Sequence, residues 1–247
     1  MRRSKLRAGK CHLESHGSLT LDMKKVDFDN YTNHYNQMLR QQTGFFTSDE
    51  AYFAQYKVQI ARDKTLGEPR RLLEFGCGIG GNISYLRRAF PSTEIMGSDI
   101  SAKSLEMARL ENPDIYFWRE GGTDDAQGDF DMIFVAGVFH HVPLSEREPV
   151  ARLLFSRLVP GGQVFIFEHN PYNPVTRRVV SNCPYDEGVV LLKPEDLEDI
   201  LLRGGMKIEE KKFSLFFPPW LKFALPLERY LGWLPFGGQY WIRARRP

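Results

Sequence analysis

Leu73-Glu74-Phe75-Gly76-Cys77-Gly78-Ile79-Gly80-Gly81-Asn82 is the stretch that decides the fold. The apolar run Arg71–Phe75 reads as a buried strand that enters the glycines directly, and a helical pattern over Gly81–Phe90 follows. Glycine lets the backbone turn sharply and approach a ligand without Cβ interference. A strand, loop and helix in this order put the helix start at the C-terminal edge of a sheet, where open α/β folds bind ligands. The next strand, Glu94–Ser98, ends at Asp99, 23 residues after Gly76, where a carboxylate can hold both hydroxyls of an adenosine ribose. Gly76, Gly78 and Gly81 also meet the dinucleotide spacing GxGxxG. Taken alone, the loop implies a nucleotide-type cofactor of open identity, or a turn needed only for packing.

The rest of the chain extends this unit. Ser101–Leu110 reads as a helix capped by Ser101, Ile115–Trp118 as a strand, and Asp131–Val138 as a buried strand. Pro149–Leu158 is a helix, Gln163–Glu168 a strand, and Pro194–Leu202 a helix with proline in its first turn. Repeated β–α alternation predicts an α/β fold with a mostly parallel sheet and helices on both faces. Met206–Phe216 and Gln239–Arg245 supply two further strands, and Pro218, Pro219, Pro226 and Pro235 forbid a long straight helix between them. Ahead of the main domain, Ser48-Asp49-Glu50 caps a helix whose apolar face is expected to use Tyr52, Phe53, Tyr56 and Ile60. The expected organisation is a basic, disordered tail over 1–22, a helical cap over 23–66, and a catalytic domain over 67–247. Substrate-side insertions are expected at about 169–193 and 216–238.

Charge is unevenly placed. The 247 residues carry 33 Lys+Arg and 31 Asp+Glu, a formal +2. Five basic residues lie in the first ten positions, and Arg243, Arg245 and Arg246 near the end. Taking those eight away leaves Cys11–Ile242 at −6, which speaks against a nucleic-acid partner. An apolar fraction of 42% supports a real core and excludes disordered, collagen-like and coiled-coil classes. Cys11, Cys77 and Cys183 are odd in number and lack metal-type spacing, so a reducing, cytoplasmic setting is expected. The N-terminus has no apolar core of a secretory signal, Met23 reads as an alternative start, and no run of about 18 apolar residues predicts a membrane span.

Further residues narrow the cofactor. Glu74 stands two before the first glycine of Gly76-x-Gly78-x-Gly80, Phe130-Asp131 opens the fourth strand, and Leu158-Val159-Pro160-Gly161-Gly162 precedes the fifth. In this combination the chain, from roughly Arg70 to Arg245, resembles the class I S-adenosylmethionine-dependent methyltransferases, and its EHNPYNP segment (168–174) resembles a bacterial subfamily with an extended loop after strand five and no assigned acceptor. The resemblance implies a Rossmann-like, seven-stranded, mostly parallel sheet with an antiparallel last strand, and S-adenosyl-L-methionine as cofactor. It implies donor contacts by Glu74, Gly76, Cys77, Gly78, Gly80 and Ala136, ribose binding by Asp99, and adenine packing by Ile100. Glu120 is the candidate for the family's acidic adenine contact, although the surrounding Arg119–Thr123 segment departs from the usual acid-plus-small pair. Glu74 and the Leu158–Gly162 turn disfavour a nicotinamide-dependent dehydrogenase.

Methyl transfer from a sulfonium mainly needs donor and acceptor in line. A base is needed only for a hydroxyl or a protonated amine. Two segments beyond the sheet's C-terminal edge supply candidates: His140-His141 after strand four, and Glu168-His169 at the end of strand five. Each histidine titrates near neutrality when unperturbed. His140-His141 reads equally as a structural pair that shapes the cofactor pocket. A metal held by Glu168, His169 and His140 lacks tight ligand spacing, so no metal is expected. Arg177, Arg178 and Asp186 either grip a polar or anionic substrate or form a solvated face.

Phe216–Tyr240 holds only Lys222, Glu228 and Arg229 as charged residues. It reads as a packed insertion or homodimer contact. The alternative is an interfacial element whose Trp220, Phe223, Trp233 and Phe236 touch a membrane surface or lipid-linked acceptor beside the terminal arginines. The function expected is methyl transfer to a small-molecule or glycan acceptor, at oxygen, with carbon or nitrogen methylation, or a scaffold without catalysis, as alternatives.

Overall fold

The computed structural model describes residues 50–122, 128–183, 186 and 188–247. The expected tail over 1–22, the cap residues before Glu50 and the capping Ser48-Asp49 lie outside the described residues. The strands are β1 (Arg71–Phe75), β2 (Glu94–Asp99), β3 (Tyr116–Arg119), β4 (Phe130–Ala136), β5 (Leu158–His169), β6 (Lys207–Ser214) and β7 (Gln239–Arg245). They form one sheet in the order β3-β2-β1-β4-β5-β7-β6. β1 to β5 are mutually parallel, and β7 runs antiparallel to both β5 and β6. The strand order reverses between β1 and β4, which opens a crevice at their C-terminal ends.

Alternation along the strands divides the core into two layers. Leu72, Met132, Phe134, Phe165, Phe167 and Trp241 face one side, while Leu73, Ile133, Val135, Val164, Ile166 and Ile242 face the other. Helices α1 (Glu50–Lys64), α2 (Ile83–Ala89) and α3 (Ala102–Glu111) cover the first side. Helices α4 (Arg147–Arg157) and α6 (Pro194–Arg203) cover the second. Ser101 accepts the Ser104 N–H and caps α3, as its type and position predict.

Several bounds differ from expectation. The α1 residues deepest in the core are Val58 and Ala61, not the aromatic stripe; Tyr52 and Phe53 meet edge to face half-buried instead. β5 begins at Leu158, because the Leu158–Gly162 turn stays paired to the sheet through a register shift opposite Phe130–Met132. The insertion after β5 contains a helix, α5 (Pro174–Ser181), with Asn173 as its N-cap. The second insertion is a kinked 3₁₀ run, Pro219–Leu227, followed by the short α7 (Glu228–Leu231). β7 starts opposite His169 and ends opposite Gln163. The terminal arginines therefore lie at the sheet edge opposite the aromatic insertion rather than beside it. There Arg243 donates to Lys64 O at 2.7 Å, and Arg246 stacks on Phe155.

Candidate functional site

The half of the site around the glycine loop is built mainly from backbone. Gly76 and Cys77 donate N–H bonds to Ser98 O at 2.8 and 2.9 Å, locking the loop to the end of β2. Gly76 has φ +71, and a Cβ there would meet Val138 Cγ2 at 2.4 Å, so only glycine fits. Gly78 (φ +54) has open space above its Cα, the cradle a ligand needs. Asp99 accepts Gly78 N–H at 2.8 Å and Ser101 N–H at 2.9 Å, which holds its carboxylate beside the loop. Burial pushes its pKa up against those bonds.

Glu74 is almost fully buried. One oxygen accepts from Asn82 Nδ2 at 2.6 Å, while Oε2 has no partner among the described residues. Burial raises its pKa to about 8, with Asn82 and Lys57 opposing. Buried polar atoms are normally hydrogen-bonded, so this oxygen suits a donor group of a ligand. Lys57 on α1 faces the same space: burial lowers its pKa, and both Glu74 and Glu168 pull against that. The open cradle at Gly78, the orphaned Glu74 oxygen and the placed Asp99 fit a donor with a ribose and an ammonium.

Not every predicted donor residue presents its side chain to this space. The Cys77 thiol is buried in the core, with its pKa raised by burial, so only its backbone serves the loop. Ala136 packs partly against the same core layer, and Ile100 is half-buried at the end of β2. Glu120 is instead in a buried bidentate pair with Arg157 (2.8 and 2.9 Å), whose guanidinium lies over Trp118 and Phe75. Its backbone N–H donates to Asp99 O at 2.9 Å, joining the ends of β2 and β3.

The half around the ends of β4 and β5 is built from side chains. Glu168 is buried at the end of β5. Its Oε1 accepts Val138 and Phe139 N–H (3.0 and 2.7 Å), and Oε2 meets His140 Nδ1 at 2.6 Å. His140 and His141 present Nε2 to Asp186 Oδ1 at 3.5 and 3.4 Å. The His169 ring lies 5.1 Å from that of His140. Burial alone would lower the His140 pKa, but the Glu168 and Asp186 carboxylates outweigh it and raise it to about 9. Burial, reinforced by the His140 charge, depresses His141 to about 3 and His169 to about 4. Burial works to raise Glu168 and Asp186, yet the imidazoles hold both below the usual carboxylate range. Val138 ties the halves together, because its side chain packs over Gly76 while its N–H binds Glu168.

A cavity of about 610 Å³ adjoins this cluster, lined in part by Arg177, Ser181, Asn182, Cys183 and Asp186. The remaining polar residues of the EHNPYNP segment have structural work. Asn170 Nδ2 donates to Pro235 O and Gly237 O at 3.0 and 2.7 Å, and Asn173 Nδ2 to Phe236 O at 2.7 Å. Tyr172 donates to Glu195 at 2.6 Å. Glu228, also buried, accepts Phe216 and Phe217 N–H (2.9 and 3.0 Å) and the Tyr56 hydroxyl of α1. Both insertions are thus clamped to the C-terminal edge of the sheet, beside the crevice.

Residues 73–164 match a family model described as a methyltransferase domain. An uncharacterized protein of Synechococcus is 35% identical over 66% of this chain and 39% of its own length. A trans-aconitate 2-methyltransferase of Methylobacterium radiotolerans is 31% identical over 58% of this chain and 60% of its own. The chain therefore spans less than two thirds of the length of these relatives. A solved S-adenosylmethionine-dependent methyltransferase of Thermotoga maritima shares the fold, with a TM-score of 0.63 at 18% identity over 89% of this chain and 98% of that one.

Proposed function

Since this chain carries a class I S-adenosylmethionine-dependent methyltransferase domain, we propose that it transfers a methyl group to oxygen on a small polar acceptor. The bound donor supplies a methyl on a sulfonium with a good leaving group. Around it, Asp99 takes the ribose hydroxyls, Ile100 packs on the adenine, and the Gly76–Gly80 loop holds the chain between them. Glu74 and Lys57, one acid and one base facing the same buried space, suit the ammonium and carboxylate of the methionine end. Orientation then accounts for much of the acceleration.

The observation that carries the oxygen assignment is the group of three imidazoles and two carboxylates at the ends of β4 and β5, touching the donor loop through Val138. A hydroxyl must lose its proton as the new bond forms, and His169, kept neutral by burial, is the proton acceptor this group offers. The acceptor occupies the cavity that Asp186 shares with Arg177 and Ser181. A relative named for methylating trans-aconitate supports a small, polar acceptor, and makes a carboxylate oxygen, which needs no base, the competing target. Turnover with a panel of hydroxylated and carboxylated acceptors decides between them. Hydroxyl methylation should fall at least 100-fold in His169→Asn; hydroxyl methylation that survives this change overturns the base, and turnover of carboxylates alone overturns the hydroxyl acceptor.

A second reading concerns where that acceptor resides. Trp220, Phe223, Leu227, Tyr230, Trp233 and Phe236 are all more than half exposed, on one clamped insertion beside the crevice. The one acid of this segment, Glu228, is buried, and Arg229 stays exposed. Exposed aromatic side chains with the exposed Arg229 among them suit an anionic lipid surface, and hence a lipid-linked acceptor. In a vesicle-flotation assay with anionic lipids, the chain should float and Trp220→Ser/Trp233→Ser should stay in solution. No flotation, or flotation untouched by the double change, overturns the membrane reading. Self-association lost in the double variant assigns the patch to a second copy.

A further inference from the structure

We infer that His140, His141 and Asp186 form a binding site for one divalent transition cation of the zinc type, with Glu168 aiming His140 into it. His140 Nε2 and His141 Nε2 lie 3.5 and 3.4 Å from the same oxygen, Asp186 Oδ1. Charge-assisted N–H···O bonds are shorter, about 2.7–2.9 Å. Ligands at about 2.0–2.2 Å around a tetrahedral zinc stand about 3.3–3.5 Å from one another, which is the separation observed here. All three ligand atoms lie within 4.8 Å of one another, so a small rotation of one ring closes the third edge.

The surroundings have the character of a metal site. Glu168 meets His140 Nδ1 at 2.6 Å, which orients the ring and turns Nε2 toward Asp186; a bound cation would take the place of the Nε2 proton, which is released on binding. Glu168 is itself pinned by Val138 and Phe139 N–H, so it acts as an orienting partner and does not compete as a ligand. Two imidazoles favour zinc, cobalt or nickel over magnesium or calcium. Three protein ligands leave a fourth position open, the pattern of sites that take water or substrate oxygen. Asp186 also lines the cavity of about 610 Å³, so a hydroxyl acceptor there would reach the cation. That last link rests on the methyl-transfer reading; the cation site itself does not. The ligands join residues 45 positions apart, which is why no compact motif announces them.

The test is titration of chelator-stripped, full-length protein with Co²⁺, followed by visible absorption. One equivalent should bind with the spectrum of a four-coordinate nitrogen–oxygen site, without a thiolate charge-transfer band from Cys77 or Cys183, and Zn²⁺ should displace it. Asp186→Asn and His141→Ala should each weaken binding at least 10-fold, and Glu168→Gln roughly 10–100-fold. S-Adenosylhomocysteine affinity, measured on the same samples, should stay within about twofold for Asp186→Asn and His141→Ala, showing that they are folded. Should His141→Ala fail to fold, Asp186→Asn decides alone. Wild-type affinity no tighter than millimolar, or binding that Asp186→Asn leaves unchanged, overturns the site. Loss of S-adenosylhomocysteine binding with Co²⁺ binding intact would instead contradict the methyl-transfer reading.

Discussion

The two halves of the crevice are assembled by different means. Gly76, Gly78 and Asp99 belong to one β–loop–α–β unit, and the bonds that set them are backbone bonds to Ser98 O or from Gly78 N–H. His140, Glu168 and Asp186 come from three separate segments and meet through their side chains around a buried carboxylate. The half around the glycine loop is therefore set by chain geometry. The half around Glu168 is held by paired side-chain charges, so its residues can change without disturbing the glycine loop.

This contrast makes its strongest demand on Glu168. Glu168→Ala removes the hub and leaves two backbone N–H groups and His140 without their carboxylate. It should cost about 3–5 kcal/mol in urea unfolding. A loss below about 1 kcal/mol would mean that this half does not depend on its hub. On the donor side, Gly76→Ala forces a Cβ onto Val138 at a left-handed φ and should cost about 2–3 kcal/mol and abolish donor binding. Gly78→Ala meets open space and should cost only about 1 kcal/mol while still blocking the donor. Equal stability losses in the two glycine variants would show that packing on Val138 does not distinguish them.

Smaller effects sharpen the same comparison. Asn170→Ala leaves the Pro235 and Gly237 carbonyls without their donor and should cost about 1–2 kcal/mol, measured by thermal and urea unfolding. Donor affinity should be unchanged, because the clamp serves the acceptor side. Stability of the metal-free protein should peak near neutral pH. His141 and His169, with pKa values lowered to about 3 and about 4, contribute above their unfolded value of about 6.5, and that contribution is lost as pH falls. Glu168 and Asp186, also depressed, add to the acid loss below about pH 4–5. His140, raised to about 9, contributes below about 6.5 and loses that contribution as pH rises through about 9. Melting curves from pH 4 to 10 check this; a flat profile would show that the cluster does not couple to folding.

Legibility in the sequence follows the same division. The glycine loop, Asp99 and the strands could be read because their signals are local: spacing, period-two apolar runs and a capping serine. β1 and β7 have the bounds that the sequence predicts. His140, His141, Glu168 and His169 were legible as polar residues at strand ends, but their partnership with Asp186 was not, since nothing in the sequence measures distance across a 17-residue gap. Lys57 was missed because a lysine on a polar–aromatic helix reads as solvated; only the packing of α1 through Val58 and Ala61 turns it toward Glu74. Glu120 was read by motif position, whereas Arg157, distant in sequence, holds its carboxylate. Asn170 and Asn173 could not be given a role from sequence, because their carbonyl partners at 235–237 belong to the other insertion.

Calorimetry with S-adenosylhomocysteine and with NAD, on wild type and Asp99→Ala, tests the central claim most directly. The account predicts that S-adenosylhomocysteine binds wild type, that NAD does not, and that Asp99→Ala weakens binding at least 100-fold while the melting temperature is retained. Binding of NAD without S-adenosylhomocysteine, or an Asp99→Ala variant with wild-type affinity, would contradict it.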